Sequence, residues 1–168
     1  MPVKLLAITY SASPEDEPKR IESAVREGLK VAAKHWHHNF AQKHFTTQAN
    51  KEYEYQPRTK EYMIRKGKKK GHQLPLVWSG ALRTMVLGRF PEPRVKKVGQ
   101  SLKCSLVLRV PTYTFYTKTK SGTPAPPKYN ELVMTSAHEA AILQQMIEAT
   151  TNEIMDQPGQ RSRTKLDN

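Results

Sequence analysis

Ile21, Val25, Leu29, Ala32, Trp36 and Phe40 follow one another at steps of four, four, three, four and four residues. That spacing draws a single apolar stripe along about five helical turns. Arg20, Glu27, Lys30 and Lys34 fall on the opposite side. The spacing predicts one long amphipathic helix from Pro18 to about Gln48, with a break near His44. Glu15, Asp16 and Glu17 precede it, where acids suit the positive end of a helix dipole. A stripe of this length must be covered by a second layer, which the rest of the chain has to supply.

Two further segments read as helices. Ser79 is a candidate N-cap for a short helix carrying Leu82, Met85 and Val86 on one side and stopping at Gly88. Ser136-Ala-His-Glu139 is a capping box, in which the Ser oxygen accepts from the backbone three residues on and the Glu reaches back. It predicts a last helix to about Met155 with Leu143, Met146, Ile147 and Ile154 inward. Strand patterns lie between and before these helices. Val3–Tyr10, Val95–Val98, Leu102–Val110, Tyr113–Thr117 and Tyr129–Thr135 are rich in strand formers, and Gly99-Gln100-Ser101 is a candidate hairpin turn. Leu102, Cys104, Leu106, Leu108 and Val110 alternate with polar or smaller neighbours, the pattern of a half-buried strand. The expected fold is therefore α+β: an antiparallel sheet of about four strands packed by a long N-terminal helix and a C-terminal helix. Residues 1–155 are expected to form one domain, with 156–168 as a flexible tail.

Charge is distributed unevenly over the 168 residues. Lys and Arg exceed Asp and Glu by 28 to 15, and eighteen of those cations against four acids fall within residues 51–128. Residues 129–168, by contrast, hold three cations and six acids. A block this basic attracts polyanions or acidic protein surfaces. Its densest part, residues 51–74, holds few aliphatic residues and reads as a long basic and aromatic loop; residues 118–128 read as a Pro-rich loop. Tyr53, Tyr55, Arg58, Tyr62, Arg65, Lys66, Lys68, Lys69 and Lys70, with Trp78 just beyond, are the candidate interface residues. Tyrosines among cations serve two ends. They stack on bases beside phosphate-binding lysines, or they anchor a protein interface.

Catalytic and metal-binding patterns are sparse. His35, His37, His38 and His44 form the one dense titratable cluster, but no Asp or Glu occurs between Glu27 and Glu52 to back a metal ligand. Glu52, Glu54, Glu61 and Glu92 are the only acids of the basic block, too few for a site built on converging carboxylates. Ser79 lacks a surrounding Gly-x-Ser-x-Gly, and Gly67 and Gly71 lack a Walker ending. The single cysteine, Cys104, alternates with aliphatic residues as a core position does. No apolar run approaches the ~18 residues of a membrane span. The expectation is a chain with no catalytic residues, cofactor or metal, working through its surfaces in the cytoplasm of its cell.

His44-Phe45-Thr46, then Tyr53-Glu54-Tyr55-Gln56-Pro57-Arg58 and Tyr62, then Pro75-Leu76-Val77-Trp78-Ser79-Gly80-Ala81-Leu82 resemble the head–tail joining, or tail-completion, proteins of the neck of long-tailed bacteriophages. Leu76–Leu82 matches the family's Leu-x-x-Ser/Thr-Gly-x-Leu turn into a short helix, and Leu132–Ile154 its closing unit, so that the likeness covers about residues 14–155. Val3–Tyr10 and the Pro-rich loop have no place in that pattern. The resemblance implies a virion protein assembled in the host cytoplasm. It would form a ring of six or twelve copies between a portal, adaptor or head-closure protein and a tail-tube or tail-terminator protein. Genomic DNA would pass through the lumen without being read. The alternative that composition alone leaves open is a nucleic-acid-binding accessory protein using the basic block.

Overall fold

The computed structural model describes residues 18–55, 57–111 and 128–156. The helix that opens the described chain, α1, runs from Pro18 to His35 and buries Ala24, Val25, Gly28, Leu29, Ala32 and Ala33. It does not continue regularly to Gln48. Trp36–Phe40 form a π turn, closed by the Ala41 N–H on the Trp36 carbonyl, and Ala41–Phe45 tighten into a 3-10 turn. The wider turn inserts a residue into the helical count. Trp36, His37, Phe40, Ala41, His44 and Phe45 are consequently all buried, more than one helical stripe allows. A single turn, α2 (Ala49–Glu52), follows.

Residues 51–74 are not the long loop that their composition suggests. Lys60–Lys70 form a regular helix, α3. Thr59 caps it by accepting from the Tyr62 N–H at 3.2 Å, and Gly71, in the left-handed region at φ 70°, closes it. Lys, Glu, Arg and Met are strong helix formers, so the segment is helical by propensity although it lacks an aliphatic stripe. The turn Pro75–Gly80 leads into α4 (Ala81–Leu87). Its N-cap is Gly80 rather than Ser79; Gly80 sits at φ 82°, which a side chain tolerates poorly, and Ser79 accepts only a long 3.5 Å bond from the Ala81 N–H. At the other end of α4, the buried His37 ring donates to the Val86 carbonyl at 2.8 Å.

Of the expected four strands, two pair among the described residues. β1 (Arg94–Val98) and β2 (Ser101–Ser105) form an antiparallel hairpin with Val98 opposite Ser101 and Gly99-Gln100 as its two-residue loop. Beyond Ser105 the alternation of burial persists, with Leu106 and Leu108 buried and Val107 and Arg109 exposed, but no ladder forms there among the described residues. Tyr129–Thr135 is not a strand: Lys128–Leu132 is a short helix, α5, and a turn follows. The strand reading there rests on the composition of Tyr129, Val133 and Thr135, without a clean alternation of apolar and polar residues. Leu132 is instead one of the most deeply buried side chains of the core. Val3–Tyr10, Tyr113–Thr117, residues 118–127 and 157–168 lie outside the described residues.

The closing helix, α6, runs from Ala137 to Asp156 with the expected capping box formed: the Glu139 N–H donates to Ser136 Oγ at 3.3 Å and the Ser136 N–H to Glu139 Oε2 at 3.2 Å. α6 is the layer that covers the α1 stripe. The two helices approach so closely at Gly28 that a Cβ there would stand 2.9 Å from the Ile147 carbonyl oxygen. The hairpin adds Leu102 and Cys104, and with Leu106, Leu108, Leu82, Val86, Leu132, Leu143 and Ile147 they complete one core around α1. Arg26 ties β1 to α1 by donating to the Val95 carbonyl at 2.9 Å, while Glu22 accepts from Arg26 and from Lys97, both at 2.7 Å. The described fold is α+β, dominated by helices, and among these residues no helix is long and apolar enough to cross a membrane.

Candidate functional site

Two neighbouring features occupy the region that the sequence singles out. One is a buried polar joint and the other is the outward face of α3.

The joint gathers residues from three places in the chain. The turn after the π segment supplies Lys43 and His44, the stretch after α2 supplies Tyr53 and Tyr55, and the first turn of α6 supplies Glu139. Glu139 has no exposed surface. Its Oε1 accepts from the Tyr53 hydroxyl at 2.6 Å and from Lys43 Nζ at 3.1 Å, and its Oε2 closes the capping box. Lys43 also donates to Glu52 at 3.2 Å. His44 is equally buried. Its ring stacks on Tyr53 with centroids 4.0 Å apart and planes 10° from parallel, and its Nδ1 hydrogen-bonds the Tyr55 hydroxyl. Trp36 closes the other side at 6.0 Å.

Electrostatics in the joint follow from its dryness. Burial pushes the His44 imidazolium down to about 4, against the opposing attraction of Glu139, so the ring is neutral at pH 7. Burial, and then the carboxylate of Glu139, push the Tyr53 hydroxyl far up; burial and the charges of Glu131 and Glu139 do the same for Tyr55. Both tyrosines stay protonated at pH 7, and Tyr53 donates to Glu139. Burial alone would lower the Lys43 ammonium, but its bonds to Glu139 and Glu52 outweigh that and raise it. The joint thus holds one neutral ring, two neutral phenols and a charged Lys–Glu contact. Every member bonds another member, an arrangement that fixes a packing geometry.

α3 extends from this joint. Arg58, half-buried, hydrogen-bonds the buried Glu131 of α5 just before the helix begins. Tyr62 tilts against Trp78 with centroids 5.9 Å apart, and burial raises its hydroxyl above the usual tyrosine range. Arg65 lies over the Tyr62 ring at 5.9 Å and Lys70 over the Trp78 ring at 5.6 Å, both within cation–π range. Lys66 points inward: it is 2% exposed and donates to the Leu74 carbonyl. Between these groups lies a cavity of only about 30 Å³, the space of a single water. Lys60, Glu61, Ile64, Arg65, Lys68 and Lys69 remain exposed on the outer side. Ile64 is 56% exposed in the midst of these charges.

The ten candidate interface residues therefore divide. Tyr53 and Tyr55 are inside the joint, and Lys66 is inside the α3 anchor. Arg58, Tyr62, Lys70 and Trp78 form the half-buried seam between α3 and the body. Arg65, Lys68 and Lys69 present their charge to solvent. Lys43 and Glu131 carry no signal in the sequence, whereas His44 is marked by the histidine cluster and the His44-Phe45-Thr46 motif and Glu139 by the capping box. The capping box marks Glu139 as an N3 acid, but nothing local marks its second partner, Tyr53, which is 86 residues away.

The four histidines of the 35–44 cluster do not converge. His35 contacts Phe40 and Asn39, His37 the α4 terminus and Phe90, and His44 the tyrosines. Among the described residues no three His, Cys, Asp or Glu side chains are placed to hold a metal ion. Cys104 is buried in the hairpin's inner face, and burial pushes its thiol up. No protein-family model, curated protein or solved structure matches the chain.

Proposed function

We propose that this chain is a structural protein of the neck of a long-tailed bacteriophage, acting by docking and without catalysis. The observation that supports this most is the construction of α3. The densest run of cations in the chain is a capped helix, clamped along one side by Tyr62, Lys66, Lys70 and Trp78 and presenting Lys60, Arg65, Lys68 and Lys69 along the other. A helix so anchored keeps its shape against a partner, and little ordering entropy is lost on binding. The titratable groups close to it, His44, Tyr53, Tyr55 and Glu139, are buried and hydrogen-bonded within the joint, His44 through Nδ1 alone. The succession of long helix, basic aromatic segment, Leu76–Leu82 turn and hairpin follows the order that the resemblance to neck proteins implies, but the closing unit departs from it, with the short helix α5 in place of a strand before the last helix.

In this reading copies join in a ring of six or twelve. The ring contacts a portal, adaptor or head-closure protein on one side and a tail-tube or tail-terminator protein on the other, with genomic DNA in the lumen. Three-dimensional reconstruction of the mature particle tests it: density for the chain between capsid and tail is expected, and a neck built wholly from other polypeptides overturns the reading.

The exposed cations of α3 favour a second reading, a nucleic-acid-binding accessory protein. A titration of DNA and RNA binding against salt separates the two. A steep slope lost in a Lys68→Ala/Lys69→Ala variant supports the second reading, and no binding at about 50 mM salt removes it.

A further inference from the structure

The outer face of α3 has a counterpart on the same molecule. Along α6 the exposed residues Gln145, Glu148, Ala149, Asn152, Glu153 and Asp156 recur at steps of three, one, three, one and three, which places them on one helical face. That face carries three carboxylates, and α6 contains no Lys or Arg from end to end. Glu148 accepts from Gln144 at 2.8 Å, and among the described residues Glu148, Glu153 and Asp156 make no ion pair. The same is true of Lys60, Arg65, Lys68 and Lys69, although the chain pairs its half-buried cations Arg26, Lys43 and Arg58. Two helical faces of opposite sign therefore stand unneutralised on one subunit.

The faces also match in length. Lys60 and Lys69 are nine residues apart and Glu148 and Asp156 eight, so the charged stretches span about 14 and about 12 Å at 1.5 Å per residue. They belong to different patches, since α6 packs on α1 whereas α3 packs on the Leu74–Trp78 segment. Self-complementary patches that differ are the requirement for head-to-tail, ring-closing contact.

We infer that the α3 face of one copy docks against the α6 face of the next, with Ile64 seated near Ala149 and the lysines opposite Glu148, Glu153 and Asp156. The occupant is a second copy of this chain rather than a nucleic acid, because the cationic face holds the apolar side chain of Ile64 at its middle and the carboxylate of Glu61 in its first turn. An apolar centre within a charged rim is the anatomy of a protein interface, and a carboxylate there repels phosphate. The inference rests on the ring reading above and specifies its contact.

Charge reversal tests it, because all the altered positions are exposed. Full-length Lys68→Glu/Lys69→Glu and Glu148→Lys/Glu153→Lys variants are compared with the native chain by native mass spectrometry and by sedimentation up to about 1 mM protein at 150 mM salt. Each variant alone is expected to weaken self-association at least ~100-fold, from like charges placed face to face. An equimolar mixture, or one chain carrying all four changes, is expected to restore it to within ~10-fold, since only unlike faces then meet. Oligomers that survive unchanged in both variants keep the ring reading and overturn this contact. A native chain that stays monomeric throughout overturns both. Loss of binding to a 20-base-pair duplex in the α3 variant, with oligomers unaltered, overturns the protein partner in favour of nucleic acid.

Discussion

Replacing Glu139 probes the joint at its centre. The carboxylate is wholly buried and accepts three bonds: from the Tyr53 hydroxyl at 2.6 Å, from Lys43 at 3.1 Å and from the Ser136 N–H at 3.2 Å. In Glu139→Gln the amide oxygen keeps Tyr53 and Lys43, but the new NH2 group meets the Ser136 N–H, donor against donor. One bond is lost, two buried donors are left facing each other, and the surviving bonds lose their charge assistance, which is about half of their strength. The expected destabilisation is ~2–3 kcal/mol. Glu139→Ala removes all three acceptor bonds and leaves a cavity; Lys43 retains Glu52, so the loss is ~3–5 kcal/mol rather than more. Urea unfolding at pH 7 measures both, with the slope against denaturant expected to stay constant. A double-mutant cycle with Tyr53→Phe isolates the 86-residue link, and its expected coupling is ~1–2 kcal/mol. A coupling below ~0.5 kcal/mol, or an alanine variant that loses under ~1 kcal/mol, would refute the joint as the tie between the 43–55 segment and α6.

Three further outcomes follow from other contacts. His44 has a folded-state pKa depressed to about 4 from its ordinary 6.5, so the unfolded chain binds the extra proton first; stability is full above pH 6.5, falls between 6.5 and 4, and levels off below, with a total loss on the order of 3 kcal/mol. An NMR titration of its ring protons with a midpoint above 6 would contradict this. Gly28→Ala places a Cβ 2.9 Å from the Ile147 carbonyl oxygen and 3.2 Å from its Cα, backbone atoms that move only if α1 and α6 part. Overpacking of ~1–3 kcal/mol outweighs the ~1 kcal/mol of helix propensity gained. Calorimetry should show a Tm lower by roughly 2–8 °C, and a Tm that rises would show that the helices are not in contact there. Lys66→Met, which takes the donor from the carbonyl of the half-buried Leu74 while keeping the apolar stem, should cost ~1–2 kcal/mol, whereas Lys69→Met on the exposed face should stay within ~0.5 kcal/mol. Equal effects of the two changes would put Lys66 on the surface.

The local signals carried far along this chain. The Ile21–Phe40 stripe marks α1, though not its end at His35, the Ser136/Glu139 box marks α6, and the Gly99-Gln100-Ser101 turn marks the hairpin, with Ser101 already in β2, because each rests on contacts within a few residues. The helix α3 is not legible in the sequence for a physical reason. It is anchored by two aromatic rings, cations above them and one buried lysine, not by aliphatic residues at helical spacing. The strand pattern over Tyr129–Thr135 misled in the opposite sense, since Leu132 is buried by a single helical turn.

Periodicity, capping chemistry and charge along the chain are enough for an α+β fold with an amphipathic first helix, a capped last helix and a basic middle. Tertiary structure alone decided that Tyr53 and Tyr55 turn inward to His44 and Glu139, that Lys66 is spent on the Leu74 carbonyl, and that Lys68 and Lys69 remain outside. Which of several neighbouring lysines or tyrosines is buried depends on the partner that waits for it across the fold. That partner lies 86 residues away for Tyr53, at a separation where no local spacing rule applies.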